Sequence, residues 1–269
     1  MASSNRIDQR FAELRTAGKK GFIAYIAAGD PSLEKTRDIV LTLEQCGADI
    51  IELGLPFSDP LADGIVNQMA ADRALHAGTT TAKVLAFIKE LRRETEVPLV
   101  LFTYLNPVYT YGFEKFHKDA AAAGADGVLI LDLPPDEAAQ NEELLKGEGL
   151  KHIRLIAPTT PPERIKLIAA QAEGFIYYVS REGVTGAQTS LAAGIAEQVQ
   201  LIQSAGKTPV AVGFGISTPE QARTVAESAD AVVVGSAIVK LIEQHGASPD
   251  LTAKLTAFVK PLVDAVKSV

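Results

Sequence analysis

Eight short runs of nearly unbroken apolar and β-branched residues punctuate the chain. They are FIAYIAAG (22–29), DIIELGLP (49–56), PLVLFTY (98–104), GVLILDLP (127–134), HIRLIAP (152–158), FIYYVS (175–180), PVAVGFG (209–215) and AVVVGSA (231–237). Continuous apolar character, as opposed to alternation, marks parallel strands covered on both faces. The segments between them repeat at helical spacing. In EKTRDIVLTLEQCG, Ile39, Leu43 and Cys46 share one face and Gly47 supplies a C-cap. TPEQARTVAES opens with Thr218 as N-cap and Pro219 at the first helical position. The second connection holds two helical stretches, 65–77 and 81–94. Ahead of the first strand, Ile7, Phe11 and Leu14 predict a short amphipathic lid helix.

Eight strand–helix units without a linker-like tract predict an α/β protein, a single (β/α)8 TIM barrel domain over residues 1–269. Extra helices are expected at the N-terminus, after strand two and near the C-terminus. An open doubly wound sheet would carry a glycine-rich fingerprint in its first turn, where this chain has AAGDPS. Strand parity then becomes chemically informative. Successive side chains alternate faces, so if Ile51 and Leu53 pack on the helices, Glu52 points into the barrel. It does so near the C-terminal end of its strand, where barrel enzymes place their chemistry. Asp63 follows in the loop ELGLPFSDPLADG, in which Pro56 and Pro60 limit backbone freedom.

The 269 residues are 47% hydrophobic, enough for a large core, and no apolar run reaches the length of a membrane span. The N-terminus lacks the apolar stretch of a signal peptide. Net charge is −7, from 26 basic and 33 acidic residues, with no basic block and no Trp. Nucleic acid is a poor fit to such a surface. A phosphorylated small molecule is not, because backbone N–H groups bind phosphate without net positive charge. The single cysteine, Cys46, reads as a small buried apolar residue and points to a reducing, cytoplasmic setting.

Three glycine-rich connections follow the last three strands: SREGVTGAQTS, GFGIST and GSAIVK. Barrels commonly bind phosphate there, on loops and a short helix N-terminus. Gly235 and Ser236 would open such a helix after the eighth strand. GFGIST is no dinucleotide fingerprint and GVTGAQTS lacks the lysine of a P-loop. His76, His117, His152 and His245 are scattered without metal-ligand spacing and are expected at the surface or at caps. DPLADG fails as a calcium loop, since Leu61 holds a ligand position and no Glu closes the motif. Lys151 lies at the wrong strand end for a Schiff base, and Lys240 lies one turn into a helix. That leaves Glu52 and Asp63. A carboxyl in an apolar interior has a raised pKa, suited to holding and releasing a proton near neutrality.

ELGLPFSDPLADG, DLPPDE, REGVTG, GFGIS and GSAIVK, in this order and at these connections, resemble the tryptophan synthase alpha subunit family. The resemblance implies retro-aldol cleavage of indole-3-glycerol phosphate to indole and glyceraldehyde 3-phosphate, in L-tryptophan biosynthesis, without metal or organic cofactor. Position by position, Glu52 matches the family's general acid–base and Asp63 its second catalytic carboxylate, set to receive the indole N–H. Tyr177 matches the active-site tyrosine of strand six. Gly186, Gly215, Gly235 and Ser236 match the phosphate cradle. Tyr25, Tyr104, Leu129 and Thr185 match positions that line the indole pocket or order its loop. The resemblance also implies a pyridoxal-phosphate beta subunit as partner in an αββα complex. It would meet the loop from Pro56 to Gly64 and the strand-three loop at Asn106 and Pro107, while REGVTGAQTS closes over substrate.

One departure stands out. After LADG the family carries a proline and apolar residues before Gln, where this chain has Ile65, Val66, Asn67 and then Gln68. Losing the proline should loosen the loop that carries Asp63. Two rival readings stay open. One is a free-standing lyase that releases indole, or another phosphosugar barrel. The other is a module that mainly activates a partner, although such a module would need neither carboxylate.

Overall fold

The computed structural model describes residues 5–134, 137, 149–179, 188–213 and 215–269, without the side chains of 188–193. In chain order the elements begin with α1 (Arg6–Thr16), β1 (Gly21–Ala27), α2 (Leu33–Cys46), β2 (Ile50–Gly54), α3 (Ile65–His76) and α4 (Thr81–Leu91). They continue through β3 (Leu99–Thr103), α5 (Leu105–Tyr111), α6 (Phe113–Ala123), β4 (Gly127–Ile130), β5 (Lys151–His152), β6 (Arg154–Ile156) and α7 (Pro162–Gln171). The last are β7 (Ile176–Val179), α8 (Gln188–Ala205), β8 (Val210–Gly213), α9 (Pro219–Ala226), β9 (Ala231–Val234), α10 (Ser236–His245) and α11 (Leu251–Lys267).

All strand pairs are parallel, in the order β5-β4-β3-β2-β1-β9-β8-β7-β6. The two ends of that order, β5 and β6, are consecutive pieces of the expected strand 152–158, parted at Ile153. One piece pairs with β4 and the other with β7, so the ring closes through a single interrupted strand and the nine pieces make an eight-stranded TIM barrel.

The alternation read from the sequence divides the strands into two shells. Outward-facing Ile51, Leu53, Leu99, Leu101, Val210, Val212, Val232 and Val234 pack in the large core under the helices. Inward-facing Ile23, Ile50, Val100, Leu129, Ile153, Phe175, Ala211 and Ala231 form a second cluster, which Ile7, Phe11 and Leu14 of α1 complete. The lid helix therefore closes the N-terminal end of the barrel, away from the chemistry. Its side chains come so close that a Cβ on Gly127 would lie 3.0 Å from Ile7.

The same end is pinned by a device that repeats. Asp49, Asp126 and Asp230 each follow an alanine and precede a strand. Each carboxylate accepts an N–H from the first or second residue of the neighbouring strand: Phe22 at 2.6 Å, Leu99 at 2.8 Å and Val210 at 2.8 Å. Asp126 also receives Arg92 at 2.6 Å and Arg6 at 3.0 Å, so its burial is matched by charge.

The helix signals hold where they are local. Gly47 caps α2 at φ 100°, and Thr218 forms a full capping box with Gln221 at α9. Two histidines overturn the expectation of surface or cap positions. His117 and His152 are buried and stack with ring centroids 5.4 Å apart between α6 and β5, because His117 lies on the same inward face as Phe116 and Ala120. Burial, with His117 and Arg154 nearby, lowers the His152 pKa to about 3. Among the described residues no helix is long and apolar enough to cross a membrane.

Candidate active site

Glu52 is the central residue of β2, in register with Tyr25 of β1 and Val100 of β3. Its side chain faces the barrel interior and is 0% exposed, and among the described residues neither carboxyl oxygen has a hydrogen-bond partner. Burial alone pushes its pKa from 4.5 to about 8, so at neutral pH the group carries its proton.

Above it the C-terminal mouth opens into a cavity of about 570 Å³. Tyr25, Phe102 and Tyr177 line its aromatic side, with ring centroids 5.0 Å apart for Tyr25–Phe102 and 6.3 Å apart for Phe102–Tyr177. Glycines leave room for both phenols. A Cβ on Gly54 would fall 2.4 Å from the Tyr25 hydroxyl, and one on Gly213 would fall 2.2 Å from that of Tyr177. Burial and the nearby carboxylates raise both phenols well above their ordinary range, so they remain donors.

Asp63 reaches the same cavity from the β2–α3 loop. In contrast to Glu52 it is held. Tyr104 donates its hydroxyl to Oδ2 at 2.9 Å, and Asn67 donates its amide to Oδ1 at 3.4 Å. Tyr104 also accepts the Ala62 N–H at 3.0 Å, and Gln68 donates to the Asp63 carbonyl at 2.8 Å. Burial raises the Asp63 pKa, while the Tyr104 and Asn67 donors pull it back. Where the family carries proline, Ile65 is the first residue of α3, a position whose N–H has no partner within the helix. The missing proline thus acts at a helix start, and the grip of Asn67 and Gln68 on Asp63 lies just beyond it.

Opposite the carboxylates, Gly213, Gly215, Gly235 and Ser236 line the cavity. Gly235 is the N-cap of α10 and offers no side chain to its first-turn N–H groups, which leaves them for an anion. Among the described residues no Lys or Arg lines this cavity. Any phosphate held here would rest on backbone and dipole.

The fold therefore brings Glu52, Asp63, Tyr25, Tyr104, Tyr177, Gly215, Gly235 and Ser236 to one end of the barrel. Leu129 is the exception. It is fully buried in the inner cluster one layer down, and Leu131, two residues on, lines the cavity in its place. Thr185 and Gly186 lie outside the described residues, as does most of REGVTGAQTS. Phe102, Leu131 and Gly213 escaped the sequence reading. Phe102 shares its strand face with inward-facing Val100, and Leu131 follows Leu129 by two residues, so strand parity carried the signal for these two.

A family model described as tryptophan synthase alpha chain matches residues 11–267. The chain belongs to the tryptophan synthase alpha chain family. It is 49% identical to the tryptophan synthase alpha chain of Geotalea daltonii, over 96% of this chain and 97% of that one. With the Geobacter sulfurreducens alpha chain it shares 48% identity, over 97% and 99%. The crystal structure of tryptophan synthase subunit alpha from Legionella pneumophila superposes with a TM-score of 0.91, at 39% identity over 99% of this chain and 100% of that one. A chain of the tryptophan synthase a2b2 complex of Pyrococcus furiosus superposes with a TM-score of 0.84, at 40% identity over 91% and 99%.

Proposed function

We propose that Glu52 and Asp63 are the acid–base pair of this alpha-type lyase, divided in role by their surroundings. The enzyme cleaves indole-3-glycerol phosphate to indole and glyceraldehyde 3-phosphate in L-tryptophan biosynthesis. The observation that carries the assignment is the contrast between the carboxylates: among the described residues Glu52 has no hydrogen-bond partner and Asp63 has two donors. Cleavage begins with protonation of the ring carbon that bears the glycerol chain, which places positive charge on the ring nitrogen. Glu52, protonated at neutrality, supplies that proton. Asp63, whose anion the Tyr104 and Asn67 donors support against the cost of burial, accepts the ring N–H and offsets the charge. Glu52 then takes the proton of the side-chain hydroxyl as the carbon–carbon bond breaks, and so returns to its starting form. Tyr25 and Tyr177 flank the ring, and Gly215, Gly235 and Ser236 hold the phosphate; by family resemblance Gly186 and Thr185 are assigned to phosphate and substrate binding.

Glu52→Gln and Asp63→Asn are expected to abolish indole release while both proteins still bind inorganic phosphate. Full turnover in either variant would remove that residue from the pair.

A beta subunit is the partner in this reading, pyridoxal-phosphate-dependent and arranged αββα. The Pyrococcus furiosus relative assembles as an a2b2 complex. Here Leu61, Ile65 and Tyr109, which are 91%, 68% and 77% exposed, present apolar surface on the connections after β2 and β3. Such surface fits a protein partner. Equal turnover with and without an added beta subunit would favour a free-standing lyase instead. The whole chain acts as one barrel unit in a cytoplasmic setting, consistent with the buried free thiol of Cys46.

A further inference from the structure

Asn67 is the polar residue that the family resemblance does not account for, and its surroundings give it a task. It lines the cavity in the first turn of α3, four residues after Asp63. The carboxylate fixes the orientation of its amide, since only the NH₂ end can face Asp63 Oδ1. Asn67 Oδ1 is then left buried without a hydrogen-bond partner among the described residues. An orphaned buried acceptor costs stability, and leucine or isoleucine at this position would carry no such cost. What the amide supplies in return is a second hold on Asp63. Tyr104 fixes one carboxylate oxygen from the end of β3, and Asn67 fixes the other from α3. Each oxygen keeps a lone pair, so the carboxylate can still receive a substrate N–H.

We propose that Asn67 is a positioning residue for Asp63, sharing with Tyr104 the orientation and ionisation of the carboxylate that meets the indole nitrogen. The proposal rests on the assignment of Asp63 made above. The titratable groups sharing this space are Tyr25 of β1, Glu52 of β2, Tyr104 after β3 and Tyr177 of β7. The three phenols stay protonated over the working range. Asp63, which works as the anion, is then the group whose ionisation sets the acidic limb of the rate profile, while Glu52, which works from its protonated form with a pKa of about 8, sets the alkaline limb.

The experiment is the pH profile of indole release by the full chain, saturated with beta subunit, for wild type, Asn67→Leu, Asn67→Asp and Asp63→Asn, with folding checked by circular dichroism. At 3.4 Å the amide–carboxylate contact is longer than an ordinary charge-assisted bond, so Asn67→Leu is expected to lower kcat by about threefold, with little change in KM. Its acidic limb moves to higher pH. Asn67→Asp keeps the shape and adds a like charge, so its acidic limb moves further still. An unchanged acidic limb in both Asn67 variants, with Asp63→Asn inactive, overturns the positioning role and leaves Asp63 standing. Activity in Asp63→Asn overturns the assignment of Asp63 and the proposal with it.

Discussion

Replacing Glu52 with Gln should make the protein more stable while it destroys activity, and the gain should grow with pH in a calculable way. The folded-state pKa of Glu52 is about 8 against 4.5 for a free carboxyl. Above pH 4.5 the unfolded chain releases this proton, whereas the folded chain keeps it until about pH 8. The native state therefore binds more protons across that window, and wild-type stability falls as pH rises through it, by about 1.4 kcal/mol per pH unit. At pH 7 the accumulated loss is about 3 kcal/mol, and above pH 8 it levels near 5 kcal/mol. Glutamine does not titrate. It carries a donor and an acceptor in nearly the shape of a protonated carboxyl, so the two proteins should match near pH 4.5 and diverge above it.

Urea denaturation at pH 5, 6, 7 and 8, followed by far-UV circular dichroism because the chain has no Trp, reads the difference directly. A gain of about 3 kcal/mol at pH 7 corresponds to about 6 °C in Tm for a chain of this size. A stability difference that stays flat between pH 5 and pH 8 would refute the claim that Glu52 is buried and protonated in the native state. So would a Gln variant that is less stable than wild type at pH 8. The expected result would identify Glu52 as a residue retained against stability, because its chemistry needs a proton held in an apolar place.

His152 should impose the opposite slope at lower pH. Its depressed pKa of about 3 means the unfolded chain binds the extra proton as pH falls below about 6.5, and stability is lost from there towards pH 3 at about 1.4 kcal/mol per unit. Denaturation midpoints of His152→Asn should lack that slope. Gly213→Ala drives a methyl into the space of the Tyr177 hydroxyl and should cost about 1–3 kcal/mol of stability. The same variant should raise KM for indole-3-glycerol phosphate, and an unchanged KM would mean that the ring does not define the pocket. Ser236→Asp puts a negative charge at the start of α10, where the phosphate is expected, and should raise KM about tenfold with little change in Tm. Inhibition of the wild type by inorganic phosphate, weakened in the variant, provides the second check.

What could be read from the sequence was local or periodic. Continuous apolar runs marked the strands, and the parity of IIELG alone turned Glu52 inward. Caps such as Gly47 and Thr218 depend on a few neighbouring residues, so they were legible as well. The readings that missed depend on what lies across the barrel. Whether Leu129 or Leu131 reaches the cavity depends on the depth of the inner layer, which α1 helps to fill from below, a hundred residues away in sequence. The stacking of His117 on His152 joins a helix face to a strand that comes later in the chain. The three strand-pinning aspartates did leave a trace, since Ala-Asp stands before β2, β4 and β9 alike. Their role becomes visible only when each carboxylate is seen to accept from the neighbouring strand.

The loop after β2 shows why one family difference carried more information than the matches around it. A match at Asp63 says that a carboxylate is present but not what state it is in. The state is a balance of burial against two donors, one of which, Tyr104, follows β3, while the other is the unexpected Asn67. The departure from the family pattern had pointed to a looser loop. In the folded chain the substituted segment is the first turn of α3, and its two amides hold both the side chain and the backbone carbonyl of Asp63. If a proline at position 65 governed that loop, Ile65→Pro would raise kcat by restricting it. If the amides govern it, Ile65→Pro should leave kcat and its pH profile unchanged, since the first N–H of a helix has no partner within the helix.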